Sequence, residues 1–142
     1  NRSSLKLVLA GSGDVEIPGD CIDEVLDLGY ASTEDKYDAH SAAAFLCQPS
    51  VNESLSITMM ESWLAGVPVL AHGKCAVTRF HCRKSNGGLY FEDYFEFEEC
   101  VNFYLNNTDA RAKMGINRKK YVTGNYNWDS VLNRFREALA KF

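Results

Sequence analysis

The sequence predicts an α/β fold with a doubly wound parallel sheet, and three observations carry that expectation. Short apolar runs alternate with longer stretches of helical periodicity along the chain. Strands alternating with helices imply a parallel sheet with helices on its faces. The runs lack polar alternation, as strands covered on both faces do. The first three runs also stop at or next to glycine or proline, the residues that end regular structure.

The elements follow in order. Leu5–Ala10 is the first apolar run, ended by Gly11-Ser12-Gly13, and Val25–Leu28 is the second, ended by Gly29. Ala44–Cys47 stops at Pro49-Ser50, Val67–Ala71 is the fourth run, and Leu89–Phe91 follows Asn86-Gly87-Gly88 as a weaker fifth. Helical patterns cover Thr33–Ala43, Leu55–Ala65 and Val77–Lys84, and three more, Tyr94–Asn106, Asp109–Thr123 and Asp129–Lys141, close the chain. Ser32 and the acids Glu34 and Asp35 supply a capping hydroxyl and favourable charge at one helix start. Asp109 and Asp129 are placed to do similar work at two others. Val131, Leu132, Phe135 and Leu139 form one stripe on the last helix.

Composition sets the outer bounds. A chain of 142 residues is about one domain, taken here as residues 1–142, and is long enough to bury a core. An apolar content of 46% and a charged content of 24% are ordinary for a globular protein. The formal net charge of -4 argues against a general nucleic-acid binder, which needs a basic face. No apolar run approaches the ~20 residues of a membrane span, and no signal-peptide pattern opens the chain. The 5 cysteines, Cys21, Cys47, Cys75, Cys82 and Cys100, are odd in number and irregularly spaced, which suits a reducing, cytoplasmic setting. Cys47 and Cys100 read as core residues. Cys75, His81 and Cys82 lack the C-x-x-C spacing of a metal site, so no metal is expected.

Chemistry in such a sheet belongs at the carboxyl ends of its strands. The loop Ala10-Gly11-Ser12-Gly13-Asp14 begins like a dinucleotide fingerprint and fails at its third glycine, where Glu16 stands; a lone G-x-G is weak evidence. The loop Gln48-Pro49-Ser50-Val51-Asn52-Glu53-Ser54-Leu55-Ser56-Ile57 carries more, because it runs from a strand into a helix. A helix N-terminus offers unpaired N–H groups and partial positive charge, a seat for phosphate, and Ser54 and Ser56 add hydroxyls. Glu53 would point past that seat toward neutral sugar hydroxyls. Glu61, on the same helix, is nearly encircled by Leu55, Ile57, Met59, Met60, Trp63 and Leu64, a setting that demands firm partners for a carboxylate. At about 1.5 Å per helical residue the two acids stand up to ~12 Å apart, too far for one acid/base pair and suited to gripping two ends of a long ligand. Two isolated acids, one solvated in the first turn and one exposed on the helix, would give the same spacing.

These residues also carry a family resemblance. Pro49-Ser50-x-x-Glu53-Ser54, then Glu61-x-x-x-Ala65-Gly66-Val67-Pro68-Val69-Leu70, closely resembles the E-x7-E motif of GT-B retaining glycosyltransferases, family 4 above all. Asn86-Gly87-Gly88-Leu89-Tyr90, Leu28-Gly29-Tyr30 and Tyr126-x-Trp128 are similar to that family's pattern too, so the resemblance runs from Leu5 to Leu139. It implies the Rossmann-like C-terminal, donor-binding half of a two-domain enzyme. Glu53 would act at the donor sugar as the catalytic-site carboxylate. Glu61 would hold the ribose, the backbone of Ser54, Leu55, Ser56 and Ile57 the distal phosphate or sugar, and Gly29-Tyr30 the base. The reaction implied is metal-free, cofactor-free transfer from a nucleoside-diphosphate sugar to a glycan or lipid-linked acceptor, as in bacterial surface-polysaccharide synthesis, with peripheral membrane association open to the intact enzyme.

The chain departs from the family at Ser54-Leu55-Ser56, where glycine-phenylalanine-glycine is usual. Asn1-Arg2-Ser3-Ser4 precedes what matches the family's second strand, so the first strand, a basic pair and the acceptor domain are expected elsewhere, and the isolated chain is expected to be inactive. An epimerase-like enzyme or a noncatalytic nucleotide-binding module would share the architecture.

Overall fold

The computed structural model describes residues 5–141, apart from the side chains of residues 115–117; Asn1-Arg2-Ser3-Ser4 lies outside them. It divides into two compact units, Asn1–Ala39 and His40–Phe142.

In the first unit β1 (Leu7–Leu9) pairs in parallel with β2 (Val25–Asp27), Leu7 opposite Val25 and Leu9 opposite Asp27. A 3-10 turn, Ile22–Glu24, leads into β2. Leu7, Val8 and Leu26 are about half exposed, although an all-apolar run implied cover on both faces. Two three-residue strands and one turn present too little apolar surface to cover them. Helix α1 (Thr33–Ala42) begins as its sequence indicates. The Ser32 hydroxyl accepts from the Asp35 N–H at 3.1 Å and donates to the Asp35 carboxylate at 2.7 Å.

The second unit is built on β3 (Leu46–Gln48), β4 (Val69–His72) and β5 (Gly88–Phe91), all parallel, in the order β3-β4-β5. Here the apolar runs are covered: Val69, Leu70 and Ala71 of β4 are fully buried. Helix α2 (Ile57–Leu64) lays Met59, Met60 and Trp63 into the same core. It stops because Gly66 turns the chain at φ 80°, a left-handed conformation that favours glycine. The Gly66 N–H donates to the Trp63 carbonyl and Val67 N–H to the Ser62 carbonyl.

Helices α3 (Ala76–Ser85), α4 (Tyr94–Asn106), α5 (Thr108–Asn125) and α6 (Trp128–Leu139) complete the unit. Asp93 caps α4 by accepting from the Glu96 N–H at 2.9 Å, while Glu96 accepts from the Glu92 N–H at 2.7 Å. For the last helix the cap is Asn127, which accepts from the Ser130 N–H at 2.8 Å. Asp129 stands inside its first turn instead, and Asp109 inside that of α5, whose N-cap Asn107 makes no side-chain cap bond. Both acids still act on the helix dipole from there. Cys47 and Cys100 are half-buried rather than in the core. The stripe Val131, Leu132, Phe135, Leu139 exists as read but stands exposed.

Two polar groups lie on the inner side of α5. Arg118 is fully buried over Gly87, and its Nη2 donates to the Arg111 carbonyl at 2.8 Å. Burial lowers its pKa to about 10. His81 of α3 meets the Tyr121 hydroxyl of α5 through Nδ1 at 2.8 Å, with the Tyr126 hydroxyl at 3.4 Å. Burial holds the imidazole below its ordinary value of 6.5, so the unfolded chain takes up that proton more readily. The stability His81 contributes is therefore complete above about pH 6.5 and is lost as pH falls through its lower folded value. Melting temperatures between pH 7.5 and 5 should fall more steeply for the parent than for His81→Phe; parallel slopes would remove His81 from the acid response.

Candidate donor-binding site

Glu53 stands on the loop between β3 and α2, and a cavity of about 500 Å³ opens beside it. Val51, Asn52, Glu53 and Ser54 line one wall, and Lys74, Cys75, Ala76 and Val77 the other. The cavity thus lies at the carboxyl ends of β3 and β4, where loops of a parallel sheet gather. Ala76 and Val77 are the first turn of α3, so that helix's positive end forms part of the wall.

The loop has a firm floor. Ser56 is the N-cap of α2 and adopts φ 62°, ψ 76°, which for a residue other than glycine stores strain of about 1–3 kcal/mol. This is the second of the two places where glycine was expected, and the backbone has indeed taken the glycine-like conformation. The Ser56 carbonyl accepts from Met59 and Met60 N–H groups; the N–H groups of Ile57 and Thr58, ahead of them, fall among the first-turn donors that have no intrahelical acceptor. Ser54 is exposed, Leu55 packs on the core, and Ile57 is exposed in the first turn.

Gln48, the last residue of β3, reaches under the loop. Its Nε2 donates to Ser56 Oγ at 2.8 Å and to Glu53 Oε1 at 3.2 Å. On the other wall, burial pushes the Cys75 thiol up, and hydrogen bonds from Thr78 and from the Glu53 and Val77 N–H groups more than offset it, leaving the thiol below its ordinary value. Cys82 is a core thiol that burial pushes up to about 12, with Arg118 opposing. Among the described residues no group of three or more His, Cys, Asp or Glu side chains could hold a metal ion.

Glu61 lies close to one buried histidine. It lies on α2 with its side chain 15% exposed, its Oε2 4.0 Å from Nε2 of the buried His40. Gly29, at φ 59°, and Tyr30, 88% exposed, follow β2 in the first unit; the Gly29 N–H donates to Asp27 Oδ1 at 2.8 Å. The sequence assigns no site role to His40, Gln48 or Lys74, and Cys75 enters it only as a metal ligand set aside on spacing. For Gln48 a sign was present, a polar residue closing an apolar strand.

The family model for glycosyl transferases group 1 matches residues 1–121. The chain belongs to that family. Its fold is that of the Rossmann-like carboxyl-terminal domains of GT-B glycosyltransferases, as solved structures bear out. An Anabaena protein, HepE, solved in complex with UDP, is 16% identical, with a TM-score of 0.78 over 97% of this chain and 41% of that one. Sucrose-phosphate synthase from Thermosynechococcus elongatus is 20% identical, with a TM-score of 0.78 over 96% of this chain and 39% of that one. WaaG, described as a glycosyltransferase involved in lipopolysaccharide biosynthesis, is 20% identical, with a TM-score of 0.70 over 86% and 35%. The chain therefore spans about two fifths of the length of the first of these proteins. No curated protein matches the sequence. Among the described residues no helix is long and apolar enough to cross a membrane.

Proposed function

We propose that this chain is the donor-binding part of a retaining, metal-independent glycosyltransferase that acts, within a longer protein, on a nucleoside-diphosphate sugar. The observation that carries the reading is Glu53, a carboxylate on the wall of a cavity of about 500 Å³ that the first turn of α3 also lines. That turn and Lys74 would meet the diphosphate, whose charge grows as the sugar leaves. Glu53, repelled by the phosphates, would accept from hydroxyls of the sugar, and Glu61, eight residues on, from those of the ribose. UDP in the HepE complex makes a uridine nucleotide the first donor to try. The lipopolysaccharide role of WaaG favours a glycan or lipid-linked acceptor at a bacterial surface.

Glu53→Ala tests the reading. Affinity for UDP-glucose, measured by calorimetry, should fall roughly tenfold or more, as for hydrogen bonds to a charged group, while affinity for UDP stays within about twofold. Equal losses for both ligands would place Glu53 away from the sugar. A UDP-sugar epimerised with no acceptor present would point to an epimerase-like enzyme.

A further inference from the structure

We infer that Gln48 is a positioning residue for donor recognition, holding the Glu53 carboxylate in the direction from which it grips the sugar. The inference rests on the reading of Glu53 given above. Glu53 belongs to a loop without regular hydrogen bonding, and a free glutamate side chain there would have to be ordered by each incoming donor. Gln48 belongs to β3, which is paired with β4 along its length, and rigid elements hold functional groups more accurately than loops do.

The chemistry of the contact is specific. A carboxylate only accepts hydrogen bonds, so Glu53 itself dictates that Gln48 turns its amide nitrogen toward it. That nitrogen carries two hydrogens, and each has an acceptor: Glu53 Oε1 at 3.2 Å and Ser56 Oγ at 2.8 Å. Ser56 is 6% exposed and its hydroxyl makes no cap bond to α2. The strained left-handed serine therefore serves as the second anchor of the Gln48 amide rather than as a helix cap. A neutral amide also orients the carboxylate without neutralising it, whereas a lysine or arginine at position 48 would compete with the sugar for its charge. Oε2 of Glu53 is left to the ligand.

The test compares UDP, GDP and ADP with their glucose derivatives by calorimetry and follows the ratio of sugar-nucleotide to nucleotide affinity for the base that binds best. Gln48→Leu should lower that ratio roughly threefold or more, the scale of coupled neighbours, with nucleotide affinity unchanged. In a Glu53→Ala background it should lower it no further. Gln48→Glu should lower the ratio at pH 8 and restore it in acid, where two adjacent carboxyl groups share a proton and position 48 again donates. This pH series decides the matter if Gln48→Leu fails to fold. An unchanged ratio in Gln48→Leu or at pH 8 in Gln48→Glu, beside a lowered one in Glu53→Ala, overturns the role of Gln48. A loss that persists in the Glu53→Ala background overturns it as well. An unchanged ratio in Glu53→Ala itself overturns the reading of the site, and the positioning role with it.

Discussion

Gly88→Ala should destabilise the second unit by about 3 kcal/mol or more, while the same substitution at Gly124 should stabilise it slightly. A Cβ at Gly88 would stand 2.3 Å from the Val69 carbonyl oxygen and 3.0 Å from Cys82 Sγ. The oxygen belongs to the backbone of β4, which pairs there with β5, Val69 opposite Gly88, so it cannot yield without breaking the ladder. Overpacking a core usually costs about 1–3 kcal/mol, and a clash with strand backbone lies at or beyond the top of that range. At Gly124, in α5, a Cβ would meet nothing within 4 Å. Alanine there gains roughly 0.5–1 kcal/mol over glycine from helix propensity and a less free unfolded chain. Chemical denaturation of both variants reads the contrast directly. Similar midpoints for Gly88→Ala and the parent would mean that β4 and β5 do not approach as closely as described.

The same close approach shows why sequence revealed some features and concealed others. Each of the five apolar runs became a strand, and their ends moved by up to two residues because pairing, not hydropathy, sets strand length. The run Ala44–Cys47 became Leu46–Gln48, since Leu46 is the residue that meets Val69 of β4. Helix α2 begins at Ile57 rather than Leu55 because Ser56 takes a left-handed conformation that apolar periodicity cannot register. Asp93 and Asn127 cap by contacts three residues away, and the choice between Asn127 and Asp129 turns on loop geometry. Arg118 is the clearest case of concealment: a charged residue on a helix reads as solvated, yet it is fully buried.

In the candidate site, residues close in sequence were legible and residues joined by tertiary contacts were not. Glu53, Ser54, Ser56 and Glu61 share one loop and helix, and their spacing is compatible both with a grip on two ends of a long ligand and with two isolated acids. The need of Glu61 for a partner was also readable, from the apolar residues around it. That His40 lies near it depends on a contact 21 positions away in sequence. Gln48 lies only five residues from Glu53, but its contact requires the loop to fold back over the strand end, and no local pattern encodes that turn. Lys74 and Cys75 reach the cavity because β4 lies next to β3, a matter of strand order.

Glu61→Gln should weaken UDP and UDP-glucose by the same factor, about 1.5–3 kcal/mol, the value of a hydrogen bond to a charged group. Glutamine keeps the length and shape of the side chain and removes only the charge and one acceptor oxygen. Because Glu61 lies on α2 among Met59, Met60 and Trp63 with its side chain 15% exposed, its charge is poorly screened and its loss is felt in full. The contact with His40 offers a second role, and the two separate cleanly. If Glu61 serves the ribose, nucleotide affinity falls in Glu61→Gln and the discrimination between UDP and UDP-glucose is preserved, the opposite of the pattern expected for Glu53→Ala. If it serves only to steady His40, the variant lowers the melting temperature and binds UDP as the parent does. Calorimetric titration with both ligands, beside a melting curve for each variant, distinguishes the outcomes, and unchanged UDP affinity would withdraw Glu61 from the donor site.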